Sequence, residues 1–205
     1  NKWLILASVF FIAWNFFLIS ILWQNYPQPP EPDDIYTYSG FINATKECPQ
    51  ILCDYPSVPI NRYLGISYLP YRIFFGIIAK VFSISPIAVT YFSFFLGTTL
   101  LLPVLIYFLF QLTKNRNLVA LSIFFLALYH GSGSYHGFFW VVPSFYAVLI
   151  FFFLFSLLLN KRVKRWKILF IVLGPIFILM HPTSIYALAI IALYFLIHFI
   201  SKRKI

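Results

Sequence analysis

The carboxylates of this chain are confined to one place. Glu31, Asp33, Asp34, Glu47 and Asp54 are the only acids in 205 residues, and they fall within 24 consecutive positions. The windows 3–23, 81–110, 117–160 and 168–201 hold no formal charge. A soluble fold cannot cover its surface under that constraint: average domains carry roughly 25% charged residues, and this chain carries 10%. With 61% hydrophobic residues, the uncharged windows read as bilayer helices, and the fold class as an all-α polytopic membrane protein. Disorder, a secreted disulfide scaffold and a nucleic-acid binder are excluded by the same distribution. The net charge of +10 would suggest nucleic acid only in a soluble chain.

The first window, Trp3 to Trp23, is 21 residues long. That is enough to cross a hydrocarbon core of about 30 Å, with a tryptophan at each interface. No small-residue cleavage pattern precedes Gln24, so the run reads as a spanning helix and not as a removed signal peptide. The chain opens on Asn1 and its only methionine is Met180, which reads as part of a longer chain. Four prolines among residues 27–32 forbid helix there. Ser85 and Pro86 open the next span as N-cap and first-turn residues. HGSGSYHG at 130–137 divides the third window, which predicts a hairpin of two helices, and His181-Pro182-Thr183 divides the fourth.

These breaks predict about six transmembrane helices at 3–23, 86–110, 117–130, 138–159, 167–180 and 184–200, forming a single transmembrane domain over 1–205. The positive-inside rule tests that count. With Lys2 in the cytoplasm, the cytoplasmic segments hold 11 bases and no acid, and the large first exterior loop, 24–85, takes the other four bases and every acid. The expected location is therefore a plasma or endoplasmic-reticulum-type membrane, N-terminus cytoplasmic, first large loop exterior or lumenal. Helices at 117–130 and 167–180 are short for a bilayer; they thin it or end beside a wet cavity.

A seventh span within 60–82 would put KRVKRWK outside. Instead, Pro70 starts a helix in which Arg72, Gly76 and Lys80 recur every four residues opposite Ile73, Phe74, Ile77 and Val81. That pattern predicts an amphipathic helix lying on the outer leaflet. A second short helix is expected at about 34–46, capped by Asp33 or Asp34.

Residues with chemical potential collect on the exterior side. Adjacent carboxylates such as Asp33 and Asp34 can hold a divalent cation (Mg or Mn), or one can act as a general base; the structural alternative is a helix cap. Arg62, Arg72 and Lys80 suit a phosphate at the leaflet surface, or simply anionic head groups. His130 and His136 flank the Gly-Ser loop, and His181 sits in a polar break of an apolar run, where cavities and contacts form. Cys48 and Cys53 are close enough for a small-loop disulfide in an oxidising compartment, and Asn43-Ala44-Thr45 is a glycosylation sequon.

The order of parts resembles the amino-terminal module of the GT-C superfamily of integral-membrane glycosyltransferases, including the protein O-mannosyltransferase and aminoarabinose-transferase relatives. The resemblance rests on Asp33-Asp34 in EPDDIYTYSG, on the helix at 70–82, and on the GSGSYHGFFWVVPSF and LMHPTS segments. It implies a polyprenyl-phosphate-linked sugar as donor and an inverting one-step displacement. Asp33 or Asp34 would act as general base, and Arg72, Lys80 or His136 would stabilise the departing phosphate. His130 and His181 join the substrate-binding candidates by side and chemistry. The competing class is a non-enzymatic transporter or accessory subunit that binds a lipid-linked substrate. A transporter would place polar groups near the midplane, where only Asn15, Gln111 and His181 come close.

Overall fold

The computed structural model describes residues 1–25, 34–47, 68–129, 143–159, 166–180, 184–186 and 188–193. Among the described residues every regular element is helical. The chain runs α1 (Lys2–Asn25), α2 (Asp34–Glu47), α3 (Leu69–Val81), α4 (Pro86–Thr113), α5 (Arg116–Ala127), α6 (Pro143–Leu159) and α7 (Trp166–Met180), with further helical turns at 184–186 and 188–193.

Two described helices, α1 and α4, are long and apolar enough to cross a membrane. The 24 residues of α1 and the 28 of α4 extend for about 36 and 42 Å at 1.5 Å per residue. With 12, 17 and 15 residues, α5, α6 and α7 reach only about 18–26 Å, so their spanning character does not follow from length.

Local chemistry sets the helix ends. Ser85 caps α4 by accepting from the Ala88 N–H at 3.3 Å, and Pro86 fills the first position. At the other end Lys114 adopts φ 55°, its N–H returning to Phe110 O at 3.1 Å. Asn115 then caps α5, accepting from the Asn117 N–H at 2.9 Å. The chain therefore reverses through Lys114 and Asn115 alone. Inside the helices Ser8, Ser20, Thr90, Thr99, Thr113 and Ser156 each donate to a carbonyl one turn back. Such self-contained pairing suits helices whose surroundings offer no water.

α4 is the central helix. It packs against α1, α2, α3, α5 and α6, while α7 packs on α6 and α3. Trp23 meets Tyr91 and Phe16 meets Phe95, so α1 and α4 are antiparallel. Asn1 meets Asn117 and Phe10 meets Phe124, so α1 and α5 are parallel. Tyr146 meets Ser93 while Phe155 meets Phe108, so α4 and α6 also run together. Lys2, Lys114 and Arg116 thus gather at one end of the bundle. Trp23, Ser85 and the α2–α3 pair occupy the other.

α5 and α6 run in opposite directions, as expected of a hairpin, but among the described residues each packs mainly elsewhere: α5 on α1 and α4, and α6 on α4 and α7. Both helices are apolar on most sides, and the wide face of α4 takes each of them separately. The apolar residues also divide into two cores. One lies toward the basic end around Phe11, Leu101, Val119 and Ile123. The other joins Ile19, Tyr38, Phe41, Tyr71, Phe75, Phe94, Tyr146 and Phe177 at the opposite end.

Candidate functional site

α2 and α3 form a cap on the non-basic end of the bundle. They run parallel, since Tyr38 contacts Tyr68 and Tyr71 while Thr45, two turns later, meets Arg72 and Gly76. The close approach depends on Gly76: a Cβ there would overlap the Thr45 side chain. The amphipathic pattern predicted for α3 is present, but its polar stripe divides. Phe74, Ile77 and Val81 are exposed, as expected for a leaflet-facing side, and so is Lys80. Arg72, 7% exposed, is covered by α2, and its Nε donates to Thr45 Oγ1 at 3.0 Å. A buried guanidinium requires such partners, because removing a charge from water costs several kcal/mol. Arg72 is therefore part of the joint between the capping helices. Lys80 lies eight residues on, about 12 Å along the axis.

Below the cap, Ser93 of α4 ties three helices together. Its hydroxyl donates to Thr90 O at 2.6 Å, so the Tyr71 hydroxyl, 2.9 Å away, donates to Ser93 Oγ. The Tyr146 hydroxyl donates to the Ser93 carbonyl at 2.6 Å. Burial pushes the Tyr71 phenol well above its usual range, only partly offset by the Ser93 bond. At neutral pH it is a structural hydroxyl and not a base. Ser93→Ala would leave a buried phenol unpaired, for a loss of about 1–3 kcal/mol. Thermal unfolding in detergent should therefore rank Ser93→Ala below the Tyr71→Phe, Ser93→Ala double variant.

Asp34 provides the first residue of α2, one turn before Tyr38, and so lies at the Tyr68 end of the cap. Its side chain and the whole of Asp33, Arg62, His130, His136 and His181 lie outside the described residues, as do Cys48 and Cys53. Among the described residues no three His, Cys, Asp or Glu side chains are grouped to hold a metal. The sequon's Thr45 is buried and engaged by Phe41 O and Arg72. Asn15 is also buried, and its amide donates to Phe11 O at 2.8 Å within its own helix.

Two cavities open at the capped end. One of about 490 Å³ lies between α1, α3 and α4, lined by Trp23, Ile78, Phe82, Val89, Phe92 and Phe95. Lys80 falls between two of its lining residues in sequence. The second, of about 250 Å³, lies beside α6 and α7 and includes Ser184, whose buried hydroxyl has no hydrogen-bond partner among the described residues. Sequence reasoning missed Ser93, Tyr71 and Tyr146, and read Thr45 only as part of the sequon, since a single hydroxyl carries no signal of its distant partner. No protein-family model, curated protein or solved structure matches the chain at a significant level.

Proposed function

We propose that this chain is the spanning module of a membrane glycosyltransferase that moves a sugar from a polyprenyl-phosphate donor to an acceptor hydroxyl on the exterior or lumenal side. The observation that carries the reading is the cap: two short helices, the first opening at Asp34, cover the bundle end opposite Lys2, Lys114 and Arg116. Six spanning helices, with α5 to α7 and the segment 184–200 joining α1 and α4, are part of the same proposal. So is an orientation with the basic end in the cytoplasm.

In this mechanism the donor's isoprenoid tail occupies the apolar cavity between α1, α3 and α4, and exposed Lys80 attracts its phosphate. Asp33 or Asp34 accepts the proton of the acceptor hydroxyl as its oxygen attacks the anomeric carbon. The bond from that carbon to the phosphate oxygen breaks, the phosphate leaves with the electron pair, and configuration inverts. The aromatic cluster of Tyr38, Phe41 and Tyr68, one turn along α2 from its first residue Asp34, supplies a rigid wall at the start of the cap.

The test is transfer itself. Membranes containing the full-length protein should move a radiolabelled sugar from a polyprenyl-phosphate donor to an acceptor with inverted anomeric configuration. Transfer no greater than in membranes lacking the protein overturns the enzymatic reading. Orientation is tested separately in a background of Cys48→Ala and Cys53→Ala. A membrane-impermeant maleimide should label Ser83→Cys in intact cells, and Thr113→Cys only after permeabilisation. The opposite labelling would invert the assigned topology.

A further inference from the structure

The basic end carries an apolar groove that the proposed transfer reaction does not use. It lies between the parallel helices α1 and α5, has a volume of about 440 Å³, and is lined by Trp3, Leu6, Phe10, Ala120, Leu121 and Phe124. Ala7 and Ala120 make its floor: both are buried, and their small side chains bring the two helices close. Its walls are exposed, Trp3 at 67% and Leu6 at 59%. From Trp3 to Phe10 the groove follows seven residues of helix, about 10 Å. That is within the depth of one leaflet, half of a core about 30 Å thick.

One mouth of this groove is polar and cationic. Asn1 Nδ2 donates to Asn117 Oδ1 at 2.8 Å across the helix starts, and Asn117 itself lines the groove. Lys2 and Arg116 each adjoin a groove-lining residue in sequence, and both are exposed. Lys114, two residues before Arg116, is exposed as well, and its Nζ donates to Gln111 Oε1 at 2.7 Å. No described acid lies at this end: of the chain's five carboxylates, Glu47 and Asp34 are on the capping helix and the rest fall between residues 31 and 54. An apolar slot about 10 Å long, with exposed cations, amide groups and no described acid at its mouth, is complementary to the upper part of an acyl chain joined to a negatively charged phosphate head group.

We propose that the α1–α5 groove is a binding site for an anionic glycerophospholipid of the bilayer. One acyl chain lies along Leu6, Phe10 and Phe124, and the phosphate rests at Lys2 and Arg116 with the Asn1–Asn117 amides beside it. Bound there, the lipid ties the start of α1 to the start of α5, two elements that are distant in sequence. Attraction to the head group depends on charge and the slot on shape, so the two can be separated experimentally.

The test is native mass spectrometry of the full chain released from nanodiscs of phosphatidylcholine and phosphatidylglycerol in a four-to-one ratio. Phosphatidylglycerol should be retained well above its share of the bilayer. The Lys2→Gln, Arg116→Gln double variant, altered only at exposed side chains, should lose that preference by about tenfold. Leu6→Trp, which fills the slot, should reduce retention of both lipids. Phosphatidylglycerol held in proportion to its share, or equally by wild type and the double variant, overturns the proposal. So does a lipid-free dimer dispersed by Leu6→Arg, which would assign the groove to a second copy of the chain. The readout is independent of sugar transfer and stands or falls apart from the proposed reaction.

Discussion

Membranes carrying the Asp33→Asn, Asp34→Asn double variant are expected to transfer sugar roughly 10²–10⁴-fold more slowly than wild type, the usual contribution of a positioned general base. The carboxamide keeps the size of the side chain and removes its ability to take a proton at neutral pH. It also keeps the capping function, because asparagine and aspartate are about equally good at a helix N-cap. The substitution therefore separates chemistry from the start of α2. If the carboxylates serve only to open that helix, both single variants and the double variant will transfer at the wild-type rate, and the general-base assignment fails. If one acts, a single variant should reproduce most of the loss, which identifies the base. Donor retention by the variant membranes should stay unchanged, since the described residues that line the cavity between α1, α3 and α4 are left intact.

The second large effect concerns the joint between the capping helices, where one chemical change should act with opposite sign at two positions. Gly76→Ala places a Cβ against the Thr45 side chain. α2 and α3 must then separate or a buried side chain leave its rotamer, at about 1–3 kcal/mol. Separation would also lengthen the Arg72–Thr45 bond and leave a buried guanidinium short of a partner. Gly40→Ala, in α2, meets nothing within 4 Å. There the gain in helix propensity dominates, and stability should rise by about 0.5–1 kcal/mol. Thermal unfolding in detergent, paired with limited proteolysis of the cap, distinguishes them. Equal effects at the two glycines would mean that the helices do not meet at Gly76.

Much of the helical order was legible because it depends on local rules. Ser85, Pro86 and Pro70 announced the starts of α4 and α3 through a cap and first-turn prolines, and α2 begins at Asp34 and ends one residue past the position expected. α4 runs three residues beyond 110, because Gln111, Leu112 and Thr113 stay in the helix until Lys114 turns left-handed. Partner choice was much less legible. An all-apolar helix has no polar face to reveal which side meets which neighbour, so nothing in the sequence pointed to α5 lying parallel on α1. The stripe of Arg72, Gly76 and Lys80 had the right period for one surface. Periodicity alone could not show that α2 covers its first two members, since that burial rests on the Gly76–Thr45 approach across 31 positions of chain. The acidic pair was prominent because acids are scarce here. The Ser93 node was not, because hydroxyls are common.

The pairing of α1 with α5 also bears on how the chain is made. Asn1 finds Asn117 across 116 positions of sequence. At 5–20 residues per second of synthesis, roughly 6–23 s separate the appearance of those two residues. Over that interval the Ala7–Phe10 face of α1 has no α5 to pack on, and in the proposed spanning arrangement lipid or the insertion machinery must cover it. One N–H of the Asn15 amide is already bonded to Phe11 O inside the same helix, so that donor does not wait for α5.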